Sequence, residues 1–170
     1  MNSRAAVSLR RCRDDEVPAL TALLHRAYAP LAARGLRYVA SHQDDRTTRH
    51  RISRGEGWVA DLGGVAVGTV TWYRTAPDSD CAHYRRDDVA NFGQYAVEPH
   101  LQGRGIGAAL LGLVERRASE EGFAHLACDT AGPATDLITL YLRRGFRHVG
   151  AVRWESVNYA SVVLSKPLRA

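Results

Sequence analysis

The sequence predicts an α/β fold: one mixed sheet of about seven strands flanked by about four helices, in a single domain covering residues 1–170. Three observations predict it. A short glycine turn, Gly63-Gly64, joins two β-branched runs in the first half, which signals an antiparallel hairpin. Helical periodicity in the second half is interleaved with single strands, which calls for β-α-β crossovers. A chain of 170 residues also suits one core rather than two.

Taken in order, Val7 to Cys12 alternates and reads as the first strand. Asp14 and Asp15 are candidate N-caps for a helix from about Glu16 to Tyr28, ended near Pro30, with Leu20, Leu23, Leu24 and Ala27 as its apolar face. The arginine-rich stretch from Leu31 to Glu56 reads as a loop with a short helix around Asp44 to Ser53. Strands follow at Trp58 to Asp61 and Val65 to Tyr73, then a polar loop at Thr75 to Asp88 and a strand at Phe92 to Val97 that Pro99 stops. A glycine-rich turn, Gln102 to Gly107, opens a helix to about Glu121 with Ile106, Leu110, Leu113, Val114 and Ala118 buried; Gly122 ends it. A strand at His125 to Asp129, a helix from about Asp136 to Arg144 stopped by Gly145, and strands at Phe146 to Val152 and Tyr159 to Leu164 complete the chain.

Composition narrows the function. No apolar run approaches the roughly 18 to 20 residues that span a bilayer, and the start reaches Arg10, Arg11 and Arg13 too soon for a secretory segment, so the expectation is a cytoplasmic protein without a membrane partner. Cys12, Cys81 and Cys128 are far apart and odd in number, which suits reduced thiols. The histidines are scattered as well; Cys81 and His83 make a poor loop pair, and no metal is expected. The net charge of +5 is carried almost wholly by arginine, but no basic run with interleaved aromatics points to nucleic acid.

The segment from Gln94 to Gly107 carries the chemistry. A strand ends, the chain turns through Gly103, Gly105 and Gly107, and an amphipathic helix begins. The first N–H groups of a helix have no internal partner and the helix dipole is positive there. Glycines leave those donors uncovered, so a phosphate can approach, and Arg104 adds positive charge. No lysine follows as a P-loop requires, and the glycine spacing of two does not match a dinucleotide fingerprint.

The whole segment resembles the coenzyme A signature of the GNAT superfamily of N-acetyltransferases, Gln/Arg-x-x-Gly-x-Gly/Ala, filled here by Gln102, Gly103, Arg104, Gly105, Ile106 and Gly107. Ala96-Val97-Glu98-Pro99 looks like that family's fourth strand and its exit, and Tyr141-x-x-x-Gly145-Phe146 like a later segment. The resemblance implies a mostly antiparallel twisted sheet in which a bulged fourth strand splays from the fifth, leaving a V-shaped gap. It implies acetyl-CoA as acyl donor, with the pantetheine arm along Tyr95, Ala96 and Val97 and the pyrophosphate on backbone amides of Gln102 through Ala108.

It further implies that Tyr141 protonates the departing thiolate, although Tyr141 also suits a core position beside Leu137 and Leu140. The asparagine common seven residues earlier is Ala134 here, which leaves Asp129, Thr130 or water as substitutes. Asp129 is the first candidate base, with an Asx turn as its alternative; Glu98 and His83 follow. Tyr28, Tyr38, Tyr84, Trp154, Glu155 and Tyr159 fall where the family builds its acceptor pocket. The implied activity is direct acetyl transfer to a small-molecule or peptide amine, with a silent acyl-CoA-binding or sensing module as the alternative and a homodimer left open.

Overall fold

The computed structural model describes residues 6–168; the opening residues 1–5, read above for an export signal, lie outside them. The strands are β1 (Val7–Arg11), β2 (Glu56–Leu62), β3 (Val65–Tyr73), β4 (Val89–Val97), β5 (His125–Ala131), β6 (Arg147–Val152) and β7 (Ser161–Pro167). The helices are α1 (Val17–Ala33), α2 (Asp45–Ser53), α3 (Ile106–Glu120) and α4 (Thr135–Arg143). They form one seven-stranded sheet in the order β1-β2-β3-β4-β5-β7-β6, antiparallel except where β4 meets β5. The order of elements is the one expected.

Two expectations at α1 need correction. Asp14 and Asp15 do not cap it; they form a single 3-10 turn with Glu16, whose carboxylate accepts from the Arg13 amide at 2.8 Å. Asp14 instead pairs with Arg49 of α2. Nor does Pro30 end the helix, which continues to Ala33. Proline removes one bond near the helix end, and the carbonyl it deprives, at Arg26, lies on an exposed residue where water can satisfy it. Leu31, buried against Leu36 and Tyr38, holds the last turn in place.

Helix α3 packs the predicted face into the main core. Leu110, Val114 and Ala118 are fully buried and meet Val70, Trp72, Phe92, Leu126 and Phe146 from the sheet. Deleting such a side chain costs about 2–5 kcal/mol. Gly68 of β3 permits the close approach: a Cβ there would stand 3.0 Å from Leu110. Helices α1 and α2 cover the other face.

The sheet opens in the middle. Strands β4 and β5 pair only at Val89, Ala90 and Asn91, opposite His125, Leu126 and Ala127. Beyond that point β4 is bulged: Thr69 faces Ala96 and Thr71 faces Gly93, so three residues of β4 span two of β3. Gln94 takes a positive φ of 50°, alone among the described non-glycine residues. An extra residue of this kind bends a strand and raises its twist. Gly93 and Gln94 therefore both face α2, while Phe92 and Tyr95 turn to the main core. The gap between β4 and β5 starts at this bulge.

Candidate active site

The exposed edges of the gap are met by tyrosines. The Tyr28 hydroxyl donates to the Tyr95 carbonyl (3.1 Å), and the Ala131 amide donates to the Tyr38 hydroxyl (3.1 Å). The Glu98 amide bonds to Val67 of β3, so by strand alternation the Val97 N–H and C=O face the gap. The Val97 carbonyl accepts from the Gln102 side chain (3.2 Å), which ties the following turn to the end of β4.

In that turn Gly103 and Gly105 both adopt left-handed conformations, φ 75° and 86°, and a Cβ at either would point into open space. The first internal bond of α3 runs from Ala109 to the Gly105 carbonyl. The amides from Gly103 to Ala108 have no acceptor among the described residues. Six donors without an acceptor at a positive helix end, with open space above Gly103 and Gly105, fit a pyrophosphate. They open into a cleft of about 370 Å³ lined by α1, Tyr95 to Val97, the turn and α4. An apolar cleft beside a row of donors suits a phosphorylated cofactor with a long arm.

Each expected cofactor residue takes a distinct part. Gln102, Gly103, Gly105, Gly107 and Ala108 line the cleft, as do Tyr95, Ala96 and Val97. Arg104 is exposed and does not line it, and Ile106 buries its side chain in the core, leaving only its amide to the turn. Gly107 has a packing reason of its own: a Cβ there would stand 2.7 Å from the Tyr95 hydroxyl. Arg144 also lines the cleft and has no carboxylate partner among the described residues. Its position three residues after Tyr141, on the same helical face, is the sequence signal that could have found it.

Tyr141 is 8% exposed, set among Phe92, Tyr95 and Phe146 with ring centroids 5.5–6.5 Å away. Its hydroxyl donates to no described group and stands in the cleft wall. Burial pushes its pKa well above the ordinary tyrosine value, so it stays protonated at neutral pH.

Asp129 approaches from the opposite face of the sheet. Its Oδ1 accepts from the Tyr84 hydroxyl (2.7 Å) and its Oδ2 from the Trp154 indole N–H (2.8 Å), so it is not the cap of an Asx turn. Burial and the Asp129 charge both raise the Tyr84 pKa, keeping that hydroxyl a donor. Glu98 is held by Arg26 of α1 (3.2 Å to Nε), and His83 lines neither this cleft nor the second cavity described below. Burial lowers the His83 pKa. No three His, Cys, Asp or Glu side chains among the described residues come close enough to hold a metal.

Ala134 sits fully buried at the start of α4, packed with Leu31, Tyr38 and Tyr159. Thr130 is bonded to the Tyr38 hydroxyl (2.7 Å) and Asp129 to Tyr84 and Trp154, so neither is free to replace an asparagine there. Tyr28, Tyr38 and Tyr159 form a tilted ring stack, centroids 5.0–5.2 Å apart, which lines and braces the gap. Glu155 is exposed.

The model of the Acetyltransferase (GNAT) family matches residues 18–146. The chain belongs to the GNAT family. N-acetyltransferase 8B from Rattus norvegicus is 29% identical over 126 residues, 71% of this chain and 54% of its own length. The chain thus spans about half the length of the curated relatives it matches. Among solved structures, the ribosomal-protein-S18-alanine N-acetyltransferase from Escherichia coli superposes with a TM-score of 0.73 at 17% identity, over 97% of this chain and 96% of that one. A GNAT family acetyltransferase from Elizabethkingia anophelis with acetyl-CoA bound gives 0.66 at 16%, over 95% and 98%. At these identities the likeness concerns the fold of this GNAT chain.

Proposed function

We propose that this protein transfers an acetyl group from acetyl-CoA directly to an amine held in the gap between β4 and β5. One observation carries the reading. A turn of helix-end amides and the hydroxyl of the buried Tyr141, none with a partner among the described residues, line the same cleft. The first is what a pyrophosphate needs and the second is what a departing thiolate needs. The amides from Gly103 to Ala108 would hold the pyrophosphate with Arg144 beside them, and the Val97 edge would align the pantetheine arm.

When bound, acetyl-CoA supplies a thioester with an acyl carbon open to an amine. Tyr141 then holds a proton for the sulfur, and its burial keeps that proton in place until charge develops. Asp129 draws the acceptor's ammonium to the other side of the gap and takes the proton that the amine must lose. Tyr84 and Trp154 fix the carboxylate, and each oxygen keeps a lone pair for the acceptor. No covalent enzyme intermediate is required. Three unpaired thiols fit a reducing, cytoplasmic setting.

The test is release of free thiol from acetyl-CoA across a panel of amines, with longer acyl-CoA donors beside it. Acceptor-dependent release above the hydrolytic background is the expected result. Tight acetyl-CoA binding without release on any amine would make the chain a binding or sensing module instead.

A further inference from the structure

Four arginines among the described residues are half-buried: Arg10, Arg51, Arg117 and Arg144. Arg10 is paired with Glu16 and Asp61, and Arg117 with Glu56, Glu120 and Glu121. Arg51 and Arg144 have no carboxylate within ion-pair distance among the described residues. Each of these two lines a cavity. Arg144 lines the cofactor cleft, and Arg51 lines a second cavity of about 520 Å³ on the α2 face of the sheet. Partly desolvating a guanidinium without a counter-charge is costly, and the cost is recovered when an anion binds.

Arg51 is held in place. Its Nη1 donates to the Gln43 side chain (2.7 Å), Gln43 donates to Gln94 (2.7 Å), and Gln94 donates to Thr71 (3.1 Å). Gln43 and Gln94 are each 3% exposed, so this is a buried polar chain ending at the bulge of β4. The other terminal nitrogen lies over Gly93, 3.5 Å from where a Cβ would stand, and the missing side chain gives it room. One terminal nitrogen is committed to Gln43 and the Tyr73 hydroxyl lies within reach of the guanidinium, which leaves part of the five-donor fork for a ligand.

The same cavity is lined by Tyr84 and Trp154, the two residues that bond Asp129, with their rings stacked at 6.4 Å. Arg54, Arg74, Asp78 and Asp80 also line it and are exposed, with Arg74 paired to Glu121. Asp129 does not itself line the cavity but stands behind its aromatic wall, held by Tyr84 and Trp154; a guanidinium without a carboxylate partner on one side and that carboxylate on the other suit a zwitterion. We infer that the acceptor is a small amine bearing its own carboxylate, an amino-acid-like molecule whose carboxylate Arg51 binds while Asp129 receives its ammonium group. This rests on the transferase reading above.

L-Phenylalanine, its amide and phenethylamine share the amine and the ring and differ at the carboxylate. With acetyl-CoA as donor, the wild type should use phenylalanine with a kcat/KM at least tenfold above the other two. Arg51→Gln should cut that value about 10- to 100-fold, mainly through KM, and by at least tenfold more than for the amide. Equal use of the three by the wild type, or equal losses in the variant, overturns the inference. Titration of phenylalanine and its amide into protein saturated with free CoA measures the same preference without turnover. Tighter binding of phenylalanine by about tenfold, lost in Arg51→Gln, is expected; equal binding, or none, overturns it. Carboxylate-dependent binding without thiol release would refute only the transferase reading. If Arg51→Gln does not fold, Arg51→Lys keeps the charge without the fork. A selective several-fold loss on phenylalanine supports the inference, and none opposes it.

Discussion

The two cavities beside β4 are built by opposite means. The cleft beside the glycine turn draws its polar groups from backbone amides in one unbroken stretch, Gly103 to Ala108, and Gly103 and Gly105 leave open space above them. The second cavity takes its charge from side chains on α2, the end of β3, the following loop and the segment after β6, with no glycine motif. A phosphate is the same on every cofactor molecule, so backbone donors suffice and the recognition is local in sequence. An acceptor is particular, and a site for it would have to be assembled from side chains distant in sequence.

The largest effect should come where both cavities depend on the same chemistry. Tyr141→Phe keeps the ring among Phe92, Tyr95 and Phe146 but removes the proton source. Turnover should fall about 10²- to 10⁴-fold in kcat and in kcat/KM, with melting temperature and acetyl-CoA affinity near wild type. Full activity would make Tyr141 a packing residue with water as the acid.

Gly105→Val isolates the cofactor side. Its Cβ would meet no protein atom, so nothing clashes; the side chain would cover the donors, and the φ of 86° would strain the backbone by about 1–2 kcal/mol. Gly122→Val, in the turn after α3, has the same φ and the same open space but no ligand nearby, and serves as the control. Both variants should lose similar stability by urea unfolding, while only Gly105→Val weakens acetyl-CoA by tenfold or more in calorimetry. Equal affinities in the two would move the pyrophosphate elsewhere.

A paired arginine gives the contrast to Arg51. Glu56 is 9% exposed and is shared by Arg117, Arg11 and Arg74. The Arg117 guanidinium holds its pKa below the ordinary 4.5. A carboxylate with a depressed folded-state value stabilises the fold above its unfolded value and loses that contribution as pH falls through the folded one. Glu56→Gln should therefore cost about 1–2 kcal/mol at pH 7, reduced from a fully buried pair because the arginines are partly solvated, and the two proteins should converge well below pH 4.5. A constant difference across pH would assign the loss to packing. The smallest expected effect is that of EDTA: none on turnover, measured before and after zinc is restored.

Much of the fold was legible because each element carries its own period and punctuation. The Gly63-Gly64 hairpin, the apolar face of α3 and the stop at Gly145 are local statements, and they stand within a few residues of expectation. The end of α1 is not legible at Pro30, because the burial of Leu31 that carries the helix on comes from contacts with Leu36 and Tyr38. Asp14 has the residue type of a cap, but its partner, Arg49, is distant in sequence and leaves no local signal.

By itself, the sequence determined the glycine turn ahead of α3 and the order of strands and helices, since both follow from short-range backbone geometry and hydrophobic spacing. Only the tertiary structure decided that Asp129 is anchored by Tyr84 and Trp154, that Tyr28 and Tyr38 meet the edges of the gap, and that, among the described residues, Arg51 and Arg144 are the half-buried arginines left without carboxylates. Those facts depend on which of many arginines, tyrosines and acids meet across the sheet. Side-chain charge and hydrogen bonding act over a few ångströms of space and have no period along the chain.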